Sequence, residues 1–269
     1  LKHNTMKHRI ILAFAAMLLL ASFDASAQVE RHRPSLRPHS PAARGFGIDF
    51  GYVHSTYRTT DWASDEVENS AGLDGFTLGL TKDFMLVPFA LYFQTGLEYY
   101  YQNDANDENV RVPASDLVAR VVGDRTEHFL GIPITLKYTY PITHNIGLAV
   151  EAGPTLLFGL SSKMKYRTRI SSDLTSTATY NAYKGQFKGS DVSELFDVED
   201  WMKSSGMLPE SKIRRFDVLV GASLGADFFE ILEVRLGYEW GLINRYKGDV
   251  ARDLKMRRGQ FVLTAAVRF

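Results

Sequence analysis

The chain has 269 residues, with 31 basic and 31 acidic side chains, a hydrophobic fraction of 45% and no cysteine. The balanced charge excludes the basic surface that is typical of nucleic-acid binding, and the lack of cysteine excludes disulfides and thiolate metal sites. A mean hydropathy of −0.15 is too polar for a bundle of membrane-spanning helices, whereas an aromatic fraction of 12% suits a protein with aromatic belts at a membrane surface.

The N-terminal segment predicts a cleaved signal peptide. Met6-Lys7-His8-Arg9 is a short basic start, residues 10–23 form an apolar run, and Ala25-Ser26-Ala27 has the small-x-small pattern of a cleavage site. The apolar run ends at Asp24 and is shorter than the roughly 18 residues that a membrane anchor needs. We therefore expect residues 1–27 to be removed, which leaves 28 basic and 30 acidic residues.

Residues 28–44 predict a disordered, basic periplasmic segment. Arg31, Arg33 and Arg37 are interleaved with prolines, and polar, proline-rich sequence stays extended. The simplest interpretation is a positively charged tether. The alternative is a peg that contacts periplasmic polymer or a partner protein, with these three arginines as candidate docking residues.

Eight segments after this tether alternate apolar and polar residues with the period of two that a β-strand requires. They are residues 46–53, 76–83, 91–99, 130–138, 146–153, 216–225, 233–242 and 260–269. The apolar face of the last segment runs to Phe269. Such an edge is a liability in a soluble domain, whereas the last strand of a closed barrel pairs with the first. A terminal Phe also resembles the assembly signal of bacterial outer-membrane proteins.

The lengths of the connections predict the architecture. Connections after the second, fourth and sixth segments are short, and the others are long and polar, at about residues 58–73, 102–125, 161–213 and 247–257. Short periplasmic turns alternating with long extracellular loops are typical of an up-and-down barrel. We therefore predict an all-β fold, an eight-stranded antiparallel transmembrane β-barrel over residues 45–269. We expect it in the bacterial outer membrane, in contact with lipid, lipopolysaccharide and the barrel assembly machinery.

The polar faces of the strands predict a charged lumen. By strand parity, the charged residues that point inward are Asp49, Glu98, Lys137, Glu151, Arg235, Glu239 and Arg268. Unpaired buried charge is costly, and eight strands enclose an interior just wide enough for side chains. We expect these charges to neutralise one another in a filled core. A narrow ion path and a proton relay are the alternatives.

Motifs for catalysis or metal binding are weak in this sequence. His54 and Ser55 are adjacent on a strand, so they face opposite sides and do not make a nucleophile–base pair. By parity His128 faces lipid while Glu127 points the other way, and His144 lies in a periplasmic turn. No cluster has the spacing of a metal site. We expect no enzymatic activity and no cofactor.

The long connection after the fifth segment, the large extracellular loop 161–213, has the most freedom for function. Alternation continues over residues 163–170, which predicts that this strand extends beyond the bilayer, and residues 177–187 predict a return strand. Residues 191–207 predict a helix whose partly apolar face includes Phe196 and Trp201. Such a face either caps the barrel mouth or docks another envelope protein.

Several strand motifs, in order over about residues 45–269, carry a family resemblance. They are Phe129–Tyr138 with its Ile-Pro and Leu-Lys-Tyr elements, Gly153-Pro154, Arg215-Phe216-Asp217 with Gly221 and Gly225, Leu236-Gly237-Tyr238 and Gly241-Leu242. This pattern resembles the porin-like outer membrane protein β-barrel domain family of Bacteroidota. The resemblance implies the fold and the compartment. One characterised group in that family comprises accessories of the type IX secretion system.

Two functional hypotheses follow. The first is a non-enzymatic structural or interaction component of the outer membrane, such as an accessory subunit of a secretion or other envelope complex. The second is a porin-like passive channel for small solutes. Eight strands and a self-paired lumen favour the first hypothesis.

Overall fold

The computed structural model describes residues 45–61, 67–69, 72–87, 91–111, 118–143, 145–169, 175–189, 212–229 and 231–269. Their regular elements are β1 (Phe46–Asp61), β2 (Val67–Asn69), β3 (Leu73–Val87), β4 (Leu91–Arg111), β5 (Val118–Pro141), β6 (Ile146–Arg169), β7 (Thr175–Asn181), β8 (Gln186–Gly189), β9 (Phe216–Phe228), β10 (Leu232–Gly241), α1 (Val250–Asp253) and β11 (Leu254–Arg268). No helix among these residues is long and apolar enough to cross a membrane.

Eight of the strands close into a ring. Their order is β5-β4-β3-β1-β11-β10-β9-β6, and pairing of β5 with β6 completes the circle. All pairings are antiparallel, and each ring strand pairs with the next ring strand along the chain. Backbone hydrogen bonds of 3.0 and 2.9 Å join Phe46 and Phe269 where the first and last strands meet. The predicted eight-stranded up-and-down barrel is confirmed.

The outer wall of the ring is an apolar belt. Large apolar side chains are exposed on it from every ring strand, reaching 67% exposure at Leu224. They include Ile48, Leu80, Leu97, Leu136, Leu148, Leu224, Leu236 and Val267. Such a belt would be unfavourable in water but matches lipid acyl chains, which is the arrangement of a transmembrane barrel.

The strands continue well beyond this belt, where the sequence predicted loops. The predicted loop 102–125 is instead mostly a hairpin, because β4 runs to Arg111 and β5 begins at Val118. Likewise β1 runs to Asp61, and β11 begins at Leu254. The backbone hydrogen bonds between strands do not require apolar side chains. The alternation of apolar and polar residues in the sequence therefore marks the extent of the lipid-facing surface, and the strands continue beyond it.

The extracellular end carries a small additional sheet outside the ring. β7 pairs with the end of β6 over Lys163–Arg169, as the alternation predicted. The predicted single return strand is instead two strands, β7 and β8, because the chain turns at Gly185, whose φ of +60° favours glycine. The predicted helix 191–207, with Phe196 and Trp201, lies outside the described residues, as does the tether with Arg31, Arg33 and Arg37.

Candidate functional site

The lumen is the candidate site, and Arg235 on β10 is the centre of its periplasmic half. Its guanidinium contacts three carboxylates: Asp49 on β1 at 3.1 Å, Glu151 on β6, and Glu233 on its own strand at 3.4 Å. It also donates to the Gln94 side-chain oxygen at 2.9 Å. A buried guanidinium with this many acceptors is compensated for the loss of water.

Two further cations complete this arrangement. Arg268 on β11 contacts Asp49 at 3.3 Å and Glu233 at 3.0 Å. Lys137 on β5 contacts Glu233 and lies 3.5 Å from Asp83 on β3. We call this set the ion network: Asp49, Asp83, Lys137, Glu151, Glu233, Arg235 and Arg268. With Gln94 of β4 and Ser223 of β9, which donates to Glu151 at 3.2 Å, it links all eight ring strands.

Glu98 and Glu239 depart from the expectation that all seven inward charges neutralise one another. Both face a polar cavity in the lumen. Glu98 accepts a hydrogen bond from Tyr100, while Glu239 accepts from Thr155 at 2.7 Å and from Gln260. Neither carboxylate forms an ion pair with another described residue. The lumen therefore combines a tightly paired network with two carboxylates bonded to neutral donors.

An apolar layer lies across part of the lumen next to this cavity. It consists of inward-facing side chains that are at most 2% exposed and that pack against one another: Val53, Tyr100, Phe129, Leu157 and Leu219. We call this layer the septum. A buried polar chain passes beside it, since Gln260 donates to Glu239 at the cavity and accepts from Arg258 at 2.9 Å. Gln260 and Arg258 are each 1% exposed, so the lumen at this height is filled by close packing of apolar and polar side chains together.

A second polar layer lies at the extracellular mouth around Glu127, whose side chain is fully buried. Arg125 contacts this carboxylate at 3.0 Å and Arg245 at 3.8 Å, and both Ser162, at 2.9 Å, and Tyr57 donate to it. We call Arg125, Glu127, Arg245 and Arg258 the arginine layer.

The arginines of this layer also stack on aromatic rings. The Arg258 guanidinium lies 4.3 Å from the ring centre of Phe129 in the septum, and Arg245 lies 4.8 Å from that of Tyr57. Arg125 lies 4.5 Å from the same Tyr57 ring. Cation–π contacts of this kind are strongest when they are desolvated. The layer thus connects the septum below it to the mouth above.

An apolar cluster outside the membrane, which we call the cap, closes the mouth. Its buried members are Tyr57, Leu73, Tyr166, Ala178, Tyr180, Ala182, Tyr183, Ile213, Tyr246 and Met256. Backbone bonds from Ala182 to Ser162 and from Ile213 to Ala182, both 3.1 Å, hold the β7–β8 turn against the strand ends. Burial raises the pKa of Tyr166 to about 12 and raises the pKa of Tyr183 well above its ordinary value.

Sequence reasoning missed part of this lumen. Strand parity already put Asp83, Glu233 and Val53 on the polar faces of their strands. Closer use of parity would therefore have assigned these three residues to the lumen. Arg245 and Arg258 lie in or beside a segment that was predicted to be a loop, where parity was not applied. The meeting of the septum residues at one height depends on the stagger of the strands, for which the sequence carries no signal.

A histidine–carboxylate pair lies on the wall of the barrel. His54 Nδ1 lies 2.7 Å from Asp74 Oδ1, and Tyr52 donates to the same oxygen. Ser55 is instead buried in the lumen, where it contacts Gln102, Arg258 and Gln260. In the part of the chain that the structure describes, no group of three or more acidic or histidine side chains is arranged to hold a metal ion.

The fold, the apolar outer belt and the polar lumen define a transmembrane β-barrel of eight strands. The chain belongs to the family described as outer membrane protein beta-barrel domain, whose model matches residues 27–247. Its compartment is therefore the outer membrane. The match does not specify a bacterial phylum or a secretion system.

Solved structures similar to this chain include three outer-membrane proteins. Ail, the attachment invasion locus protein of Yersinia pestis, is 13% identical, with 84% of this chain and 99% of that chain covered and a TM-score of 0.36. Neisserial surface protein A is 11% identical, with 85% of this chain and 99% of that chain covered and a TM-score of 0.37. The outer membrane protease OmpT of Escherichia coli is 8% identical, with 87% of this chain and 99% of that chain covered and a TM-score of 0.33. No curated protein sequence matches the chain.

Proposed function

We propose that this protein is a non-enzymatic, non-conducting outer-membrane barrel that acts as a structural or interaction component of the envelope. The observation that carries the proposal is the closed lumen. The septum residues are at most 2% exposed, and the arginine layer and cap lie above them.

The closed lumen argues against a passive channel. A solute would have to displace ion pairs around Arg235, separate the buried side chains of the septum and of the Gln260–Arg258 bond beside it, and then separate Glu127 from its arginines. Each of these steps leaves buried charge or apolar surface without its partners, which costs several kcal/mol in a low-dielectric interior. A constitutive pore for small solutes would instead need a continuous wet path.

The non-enzymatic part of the proposal is supported by the surroundings of His54. Its imidazole is oriented by Asp74, as in a catalytic dyad, but the neighbouring Ser55 hydroxyl is buried on the other side of the wall. An activated nucleophile requires the hydroxyl within hydrogen-bond reach of the base. Among the described residues, His54 has no hydrogen bond to a serine or threonine hydroxyl.

The proposal extends to the partners. After removal of the signal peptide, the basic tether 28–44 and the segment 191–207 would dock other envelope proteins, with Arg31, Arg33, Phe196 and Trp201 among the contact residues. The resemblance to Bacteroidota barrels supports one specific role, that of an accessory subunit of the type IX secretion system. No nucleic acid and no cofactor is part of this proposal.

The experiment is a mild-detergent pull-down of the tagged protein from native outer membranes, with quantitative mass spectrometry. The wild type is compared with a tether variant, in which Arg31, Arg33 and Arg37 are replaced by glutamine, and with Phe196→Ala/Trp201→Ala. Lys184→Gln, at an exposed position in the β7–β8 turn, is the control.

The proposal predicts a partner in stoichiometric amount, which the control retains and at least one of the two docking variants loses. Recovery of the barrel alone under conditions that preserve a known outer-membrane complex would contradict the interaction role.

A further inference from the structure

The outer face of the barrel is basic where it emerges from the apolar belt at the extracellular end. Five exposed cations project from it on two sides, which we call the basic collar: Arg58 on β1, Lys163, Lys165 and Arg167 on β6, and Arg257 on β11. Strand parity separates these residues from the buried cations of the arginine layer, which point into the lumen.

The collar lies at the level of the lipid head groups. On β6 the exposed apolar wall ends at Phe158 and Leu160, and Lys163 follows three residues later, about 8 Å higher along the barrel axis for a strand tilted by roughly 40°. On β11 Arg257 stands four residues beyond the exposed Phe261, about 10 Å higher by the same geometry. The head-group layer is roughly 5–7 Å thick on each side of the hydrocarbon, and long basic side chains reach back toward it.

The pairing register sets like charges against each other. Arg58 and Arg257 are direct cross-strand partners in the β1–β11 ladder, and both side chains are exposed. Like charges directly opposite each other destabilise a strand pair. A bound anion between the two guanidinium groups would convert this repulsion into a bridged contact.

The collar has little compensating acid. None of its five cations forms an ion pair with another described residue. On β5, beside the β6 row, the register places one acidic residue, Asp124, opposite Lys165, while Thr126 and Val122 lie opposite Lys163 and Arg167. The collar is therefore a net positive surface directly above a lipid-facing wall.

We propose that the basic collar binds the phosphorylated sugar head group of the outer-leaflet glycolipid. Guanidinium and ammonium groups in a row above acyl-chain contacts match a molecule that carries phosphates above acyl chains. A soluble polyanion would match the charges but would make no use of Phe158, Leu160 and Phe261 directly beneath them. The continuity of the two surfaces therefore favours a lipid.

The test uses the intact barrel in detergent and titrates it with purified bisphosphorylated lipid A, with the same lipid A after phosphate removal, and with soluble polyphosphate. The collar variants are Lys163→Gln/Lys165→Gln/Arg167→Gln and Arg58→Gln/Arg257→Gln. The matched control, Lys184→Gln/Arg252→Gln, removes two exposed cations from the top of the mouth. Heat-modified mobility on gels verifies that each variant is folded.

We expect each collar variant to weaken lipid A binding about tenfold or more, as loss of charge-assisted bonds does, while the control stays within about twofold. Phosphate removal should weaken wild-type binding to a similar extent. Arg58→Gln/Arg257→Gln has a second expected effect. Without lipid, its melting temperature should be higher than that of the wild type, because the repulsion between the two arginines is gone. Lipid A should raise the melting temperature of the wild type but not that of this variant.

Equal binding by the collar variants and the control would overturn the proposal, and so would equal binding of dephosphorylated lipid A. Polyphosphate that binds as tightly as lipid A at the same phosphate concentration would also overturn it, because the surface would then recognise a soluble polyanion.

Discussion

At the periplasmic end of the lumen, the ion network together with Gln94 and Ser223 joins side chains from all the ring strands, and Asp49 and Arg268 connect the first strand to the last. At the extracellular end, the mouth is closed by arginines stacked on Tyr57 and Phe129 beneath an apolar cap. The first region is built from ring residues alone, whereas the second also uses residues outside the ring, among them Tyr180, Ile213 and Tyr246.

This difference separates barrel stability from mouth closure. The ion network forms only when the ring is closed in the correct register, so its energy belongs to the global fold. The cap is held by β7, β8 and the Ile213–Tyr246 bridge, all of which lie outside the ring. We therefore expect them to detach while the ring stays intact. Damage to the network should therefore unfold the barrel, whereas damage to the cap should open the mouth locally.

The largest expected effect is that of Arg235→Ala. It leaves Asp49, Glu151 and Glu233 without their shared cation, so we expect a loss of about 3–5 kcal/mol in the free energy of unfolding. Denaturant titration of the folded barrel in detergent measures this change. Arg252→Ala, at an exposed position on α1, is the control and should change stability by less than about 0.5 kcal/mol. A loss equal to that of the control would show that the network is not part of the global fold.

The next effect is that of Phe129→Ala in the septum. Loss of the ring creates a cavity and removes the surface on which Arg258 stacks, so we expect a cost of about 3 kcal/mol. Phe216→Ala, at a lipid-facing position, is the matched control, with a smaller cost because acyl chains fill the space. A larger loss for Phe216→Ala would contradict the assignment of the septum as a packed core.

Glu127→Gln should affect the mouth more than the barrel. It removes the charge that pairs with Arg125 and Arg245, at a local cost of about 1–3 kcal/mol. Hydrogen exchange should accelerate in residues 178–183 and stay unchanged in the β1–β11 ladder. If hydrogen exchange accelerated uniformly along the whole chain, Glu127 would instead contribute to the stability of the entire barrel.

The smallest effect concerns pH. Burial raises the pKa of Tyr166 in the cap to about 12, above the roughly 10 of an unfolded tyrosine. A raised folded pKa gives stability that is complete below pH ~10 and is lost as the pH rises toward ~12. The cap should therefore open in this window, which exchange or absorbance at the phenolate band can follow. Tyr166→Phe should weaken the dependence, and an unchanged pH profile for that variant would exclude Tyr166 as its source.

The sequence was sufficient to predict the ring and its closure. Alternation identifies which segments are strands, and short connections such as residues 229–231 make neighbours of consecutive strands. Parity also assigns a face to each residue, which is why Asp49, Lys137 and Arg235 could be assigned to the lumen.

The contacts within the lumen could not be predicted in the same way. Parity gives the face of a residue but not its height, which depends on strand tilt and on the stagger between strands. The pairing of Lys137 with Glu233, 96 positions apart, follows from that stagger. The contacts of the cap could not be predicted from the sequence for another reason. Arg245 and Tyr246 belong to an irregular segment without periodicity.

The most direct test of a closed lumen is conductance of the purified wild-type barrel in planar bilayers under voltage of either sign, with a known porin as positive control. The account predicts no conductance steps for the wild type and none for Arg235→Ala molecules that remain folded. Stable steps in the wild type, with a size or ion selectivity that Arg235→Ala changes, would show a water-filled path through the lumen and would contradict the account.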